Sequence, residues 1–317
     1  MTLVPRWWPR PRLMQGIGLK SRFFQITPDS QLLTQCHWHV GSLHRPTVIL
    51  IHGLEGCSES HYMLGIARKA WDAGCHVVRM NQRNCGGTLH CTPTLYHGGL
   101  SSDVGSVVAE LAKRDGLQHI WVVGYSMGGN LALKLAGEVG STLPALKGVI
   151  AVCPNIDPAA CVKALQQPRN RLYHHYFLTR LKSKLKRKAA LYPEKFDPTP
   201  LRNIRTMWQF DDLYTAPDGG YRNAADYYER SGSRHVLHNI QIPTLIMTSK
   251  DDPFIPSHTF HMDAIRANPW IHLMISDYGG HCGFFQRRCP DEDYFWAENR
   301  VIEFIQCHQK KKIERSR

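Results

Sequence analysis

WVVGYSMGGNLALKL, residues 121–135, opens as an apolar run, turns through Gly-Tyr-Ser-Met-Gly-Gly, and leaves with the pattern of an amphipathic helix. Such a stretch reads as a strand passing sharply into a helix, with Ser126 at the corner. Small residues on either side, Gly124 and Gly128, allow a tight and strained turn that exposes the serine hydroxyl. The helix beginning there presents unpaired amide N–H groups and the positive end of its dipole beside that hydroxyl. Gly-x-Ser-x-Gly between a strand and a helix therefore predicts a nucleophile; a glycine-rich turn that merely contains serine is the competing reading.

The rest of the chain repeats the same alternation. TVILIHG (47–53), HVVRMNQ (76–82), HIWVVGY (119–125), LKGVIAVC (146–153), PTLIMTS (243–249) and IHLMISD (271–277) are short runs rich in Val, Ile and Leu. Helical patterns lie around 60–73, 101–114, 127–139, 257–267 and 292–307. Continuous apolar strands separated by helices predict an α/β fold, with a mostly parallel sheet covered on both faces. Between residues 22 and 40 the pattern is more alternating, which suggests an antiparallel entry hairpin. From 155 to 240 the alternation fails, and a Tyr-rich, basic, partly helical stretch takes its place. The expected organisation is one composite domain: a core of 1–154 and 241–317, with 155–240 inserted as a cap above the strand ends.

Composition excludes several other classes. A chain of 317 residues, 43% of them hydrophobic, is large enough to bury a substantial core. Its ten cysteines form no Cys-x-x-Cys pair and no zinc-like Cys/His spacing, so no metal site is expected. They read as reduced thiols, and the N-terminus lacks the apolar stretch of a signal peptide. No segment approaches the roughly 20 apolar residues that span a bilayer. These features point to the cytoplasm. Lys and Arg outnumber Asp and Glu by 39 to 26, giving a formal charge of +13 and an anionic neighbour as one explanation. No nucleic-acid motif accompanies that charge, so nucleic acid is not an expected partner.

A lone serine is a weak nucleophile and needs a base and an orienting acid. In this architecture the acid and then the histidine follow the serine along the chain. SKDDPFIP places Asp251 and Asp252 after the strand at 243–249, and GGHCGFF places His281 after the strand at 271–277. Asp252-Pro-Phe-Ile-Pro256 has the spacing of the turn that usually carries the acid, which favours Asp252 and leaves Asp251 as a loop-capping carboxylate. Asp157 and Asp277 also end strands and are weaker substitutes. IHGLEG, residues 51–56, follows the first long apolar strand, where one oxyanion donor is expected. The Leu54 and Met127 amides form the predicted pair, with His52 bracing the loop.

Taken together, HGLEGCSESHY, NQRNCGGT, YHGGLSSD, GYSMGGN, FDDLYTAPDGGY, DYYERS, SKDDPFIP and GGHCGF resemble the YheT-like α/β-hydrolases, the AB hydrolase 4 family, over about residues 47–285. Trp7-Trp8 is similar to that family's N-terminal aromatic pair, although the residues after it depart from the pattern. The resemblance implies an esterase-like serine hydrolase acting on short- to medium-chain acyl esters or acylglycerol-type lipids, with no cofactor. Ser126, His281 and Asp252 would form its triad. An alcohol acyltransferase, a thioesterase or a non-catalytic lipid-binding protein is the alternative within the fold. Asp211 and Asp212 read as anchors of the cap, while Asn81, Arg83 and Gly86-Gly87 read as shaping a loop near the site. YFLTRLKSKLKRKAALY, residues 176–192, is rich in Lys and Arg and has no acidic residue. Leu178, Leu181 and Leu185 recur at helical spacing, so one face is expected to bury. The other face either is simply solvated or, with Trp7, Trp8 and Arg10, meets anionic lipid headgroups.

Overall fold

The computed structural model describes Trp8, Arg10, residues 13–41 and residues 43–315, with side chains as far as Gln309; Trp7 and the side chains of the basic tail lie outside the described residues. Eight strands form one sheet: β1 (Lys20–Thr27), β2 (Ser30–His37), β3 (Thr47–Ile51), β4 (His76–Met80), β5 (Ile120–Tyr125), β6 (Leu146–Val152), β7 (Thr244–Ser249) and β8 (Ile271–Ser276). Their spatial order is β1-β2-β4-β3-β5-β6-β7-β8. The first hairpin and the β2–β4 pairing are antiparallel; all later pairings are parallel. Every residue of β3 and β5 is buried, as their unbroken apolar sequences require of strands covered on both faces.

Helix α1 (His61–Asp72) joins β3 to β4, and α2 (Ser101–Arg114) joins β4 back to β5. These two crossovers run in opposite directions along the sheet. Right-handed connections therefore put the helices on opposite faces. Helix α3 (Met127–Val139) follows β5 and packs against α2. Between β6 and β7 lie α4 (Pro158–Leu165), α5 (Arg171–Leu191), a helical stretch over 207–218 and α6 (Ala224–Ser231). The last helix, α7 (Trp296–Arg315), packs against α1. The reversal of strand order between β3 and β5 opens a crevice at their carboxyl ends, where parallel α/β sheets gather ligands.

One expected helix is broken. Residues 257–267 form a short turn, Ser257–Phe260, and a separate four-residue piece, Asp263–Arg266. The Thr259 hydroxyl donates to Pro256 O at 2.7 Å, a local hydrogen bond that competes with helix continuation. The N-terminal arm also departs from a free cationic surface. Arg10 pairs with buried Glu298 at 2.7 Å and lies over the Phe295 ring, while Trp8 packs edge-on against Phe285 and Tyr294.

Candidate active site

The Ser126 corner is held by its neighbours. Ser126 has φ +55°, a left-handed conformation that costs a non-glycine residue free energy and persists only where the surroundings enforce it. A Cβ on Gly124 would stand 2.1 Å from Gly128 O, and one on Gly128 would stand 2.5 Å from Ile51 O. Only glycine lets β5, α3 and the end of β3 approach this closely. Ser126 N–H donates to Val152 O at 2.8 Å, which ties the corner to the adjacent strand.

The loop after β3 is braced from three sides. Gly53 N–H donates to the Tyr62 hydroxyl at 3.0 Å, and Glu55 N–H donates to the Tyr96 hydroxyl at 3.0 Å. Between them, the Leu54 amide has no hydrogen-bond partner among the described residues. Met127 opens α3, where first-turn amides have no acceptor within the helix. Leu54 and Met127 both line the cavity that Ser126 faces. His52 Nδ1–H donates to Gly53 O at 2.8 Å, and its Nε2 accepts from Gln82 N–H at 3.1 Å. This pattern needs the neutral ring, and burial pushes the His52 pKa down to about 4.

Asp251 and Asp252 end β7 and take different partners. His281 Nδ1–H donates to Asp252 Oδ2 at 2.8 Å, and the Asp252 side chain is wholly enclosed. Asp252 Oδ1 accepts the Phe254 and Ile255 amides at 3.0 and 2.9 Å. Asp251 Oδ1 accepts the Gly279 and Gly280 amides at 2.8 and 2.7 Å, thereby clasping the loop that carries His281. Burial opposes charge on the His281 ring, but the Asp252 carboxylate, through its charge and its hydrogen bond, outweighs it and raises the His281 pKa above its ordinary 6.5. The two weaker candidates are otherwise engaged: Asp157 caps α4 and pairs with Arg234, while Asp277 pairs with Lys250 on the surface.

Val152 O receives both the Ser126 amide and, at 3.7 Å, the Cys282 thiol, so the serine corner and the His281 loop meet on one carbonyl. Cysteine spacing gave no sign of what lies beneath them. Cys153, His281 and Cys282 bring possible metal-ligand atoms within 4.8 Å of one another. Burial drives the Cys153 pKa well up, which keeps it a thiol and a poor metal ligand.

Residues of the helical stretch between β6 and β7 line the cavity that Ser126 faces. The cavity, about 760 Å³ including its open mouth, is lined in part by apolar Val162, Leu165, Phe177, Leu181, Phe254 and Ile255. Asp211, from the FDDLYTAPDGGY segment, lines the same cavity from a π-wound turn, Asp211–Thr215. It accepts from Thr215 Oγ1 at 2.7 Å and from the Tyr228 hydroxyl at 2.6 Å, and burial raises its pKa to about 6. Asp212 caps α6 by accepting the Ala224 amide at 2.8 Å. Arg83 pairs with buried Asp103 through two hydrogen bonds of 2.6 and 2.7 Å, and Asn81 fastens to Ser58. Those contacts form the framework of the loop after β4.

Leu178, Leu181 and Leu185 of α5 are buried, but the basic face is less exposed than its sequence suggests. Lys184 pairs with Glu55 at 2.6 Å, while Lys188 is fully enclosed and donates to Asn84 Oδ1, Leu89 O and Thr92 O. Both lysines share the helical stripe of the three leucines, and that spacing was a readable signal.

A family model described as alpha/beta hydrolase fold matches residues 46–287. The chain is 32% identical to the Escherichia coli (strain K12) protein named "Putative esterase YheT" across 83% of this chain and 77% of that protein. It is 31% identical to phospholipase ABHD3 of Mus musculus over 80% of this chain, and spans only 62% of that relative's length. Among solved structures, the Pyrococcus furiosus esterase Pf2001 superposes with a TM-score of 0.61 at 16% identity, covering 94% of this chain and 93% of that one.

Proposed function

Because the chain belongs to the α/β-hydrolase family and is a hydrolase of esterase or lipase type, we propose that it cleaves short- to medium-chain acyl esters or acylglycerol-type lipids through an acyl-enzyme on Ser126. Ser126 Oγ attacks the ester carbonyl while His281 Nε2 takes its proton. Asp252 holds the imidazole in the tautomer with the proton on Nδ1 and stabilises the imidazolium that forms. The Leu54 and Met127 amides receive the negative charge that develops on the carbonyl oxygen. As the tetrahedral intermediate collapses, His281 gives its proton to the departing alcohol. Water, activated by the same histidine, then releases the acid and restores Ser126.

The observation that carries this reading is the enclosed Asp252–His281 pair beside a strained serine that faces a largely apolar cavity. Turnover of p-nitrophenyl esters across a series of acyl lengths tests it. We expect hydrolysis that prefers a chain long enough to cover the apolar lining residues. A folded protein that hydrolyses none of the series would reject the reading in favour of a binding role.

For the enzyme's surroundings we propose peripheral contact with anionic membranes. Arg180, Lys186 and Arg187 remain exposed on α5 together with Leu172 and Tyr176, a mixture suited to an interface. No helix among the described residues is long and apolar enough to cross a membrane.

A further inference from the structure

The cavity is also lined by polar groups that the ester chemistry does not use. His97, four residues before α2, lines it and is buried between the rings of Tyr221 and Tyr227. Its Nδ1 accepts the Gly99 amide at 3.2 Å, so a neutral ring carries its proton on Nε2. Burial pushes the His97 pKa down to about 4, which keeps the ring neutral at physiological pH. That Nε2–H has no partner among the described residues. Asn155, three residues beyond β6, also lines the cavity, and its Oδ1 is buried without a hydrogen bond. A buried orphan polar group costs stability unless something supplies its partner. Asp211 completes the set: each carboxylate oxygen already accepts one hydrogen bond and retains a lone pair. Tyr227 and Tyr228 link His97 to Asp211, since Tyr227 packs against His97 while Tyr228 holds Asp211.

Charge narrows what these groups take. Among the described residues no lysine or arginine lines the cavity, and the one charged group that does is a carboxylate. On α5, Lys184 and Arg180 pair with Glu55. A phosphate would meet neither an ion pair nor a bidentate guanidinium, and would face Asp211. Free hydroxyls match better, because each can accept from His97 Nε2–H or Asn155 and donate to Asp211 or Asn155 Oδ1.

We propose that His97, Asn155 and Asp211 form the alcohol-side subsite of this cavity, taking an uncharged leaving group with free hydroxyls, of the glycerol type, and disfavouring phosphorylated headgroups. This rests on the hydrolase reading above, with the acyl chain against the apolar lining residues and the alcohol against these polar groups.

The test compares three esters of one acyl chain: a monoacylglycerol, a lysophosphatidylcholine and a p-nitrophenyl ester, whose leaving group has no hydroxyl. Wild-type kcat/KM should favour the monoacylglycerol over the lysophospholipid by about tenfold or more, the lower end of what leaving a buried polar group unmatched costs. His97→Phe and Asn155→Leu should each lower kcat/KM for the monoacylglycerol by about tenfold. Their effect on the p-nitrophenyl ester should be much smaller, and His97→Gln, which keeps an N–H donor, should recover part of the loss. Equal losses on both esters in folded variants would overturn the subsite, as would a wild-type preference for the lysophospholipid. Failure of the wild type on all three, with no labelling by a fluorophosphonate, would instead overturn the hydrolase reading and the subsite with it.

Discussion

Asp251 and Asp252 stand side by side, yet one carboxylate grips a loop and the other meets an imidazole. That difference separates their variants. Asp252→Asn keeps an oxygen for the Phe254 and Ile255 amides but offers His281 an amide in place of a carboxylate, favouring the wrong tautomer; kcat should fall by about 10³–10⁴. Asp251→Asn keeps an acceptor for Gly279 and Gly280 and should cost about tenfold at most. Steady-state kinetics on both variants checks the assignment, and equal losses would refute it. The same pair sets a pH dependence. In the proposed mechanism His281 must be neutral to accept the serine proton, so activity should rise as pH climbs through its pKa. The carboxylate raises that pKa, so the acid limb of kcat/KM should lie above the ordinary 6.5 and move to lower pH in Asp252→Asn. An unmoved limb would mean that another group controls it.

Between β5 and α3, close approach of backbones makes two glycines indispensable. Gly124→Ala and Gly128→Ala each put a methyl group within 2.5 Å of a carbonyl oxygen and should destabilise the fold by at least about 2 kcal/mol. Gly87, at φ +86° with open space around it, should lose only about 1 kcal/mol on the same change. Denaturant titration of the three variants distinguishes packing from conformational freedom. These core elements were legible in the sequence because buried parallel strands are written as unbroken apolar runs, and because Ser126, Asp252 and His281 each sit just after one of them. The insertion was far less legible. Its cavity depends on His97, Asn155 and Asp211 meeting across distant parts of the chain, and no local period encodes that. The 257–267 helix failed as an expectation because a hydroxyl-to-backbone bond took over where periodicity alone saw continuity. Asp211 gives this element its own pH signature. A buried carboxyl with pKa raised from 3.8 to about 6 binds its proton more tightly folded than unfolded, so its contribution to stability is full below about 4 and declines as pH rises to 6. Asp211→Asn should remove that decline from the melting temperature, and an unchanged pH profile would argue against it.

For the molecule as a whole, charge and chemistry make separate claims. A formal charge of +13 overstates the cationic surface of α5, since Lys184 and Lys188 are spent inside the fold. With Arg180, Lys186 and Arg187 still outside, sedimentation with anionic vesicles should exceed that with neutral ones and should fall as salt is added. Equal recovery from both would remove the membrane contact and leave the chemistry untouched. The chemistry itself depends on the corner where β5 becomes α3. Its most direct test is to treat the wild-type protein and Ser126→Ala with a fluorophosphonate and locate the adduct by peptide mass spectrometry. The expected result is a single adduct on Ser126 that accompanies loss of ester turnover, with neither labelling nor turnover in the variant. Labelling of another residue, or turnover that survives in Ser126→Ala, would contradict it.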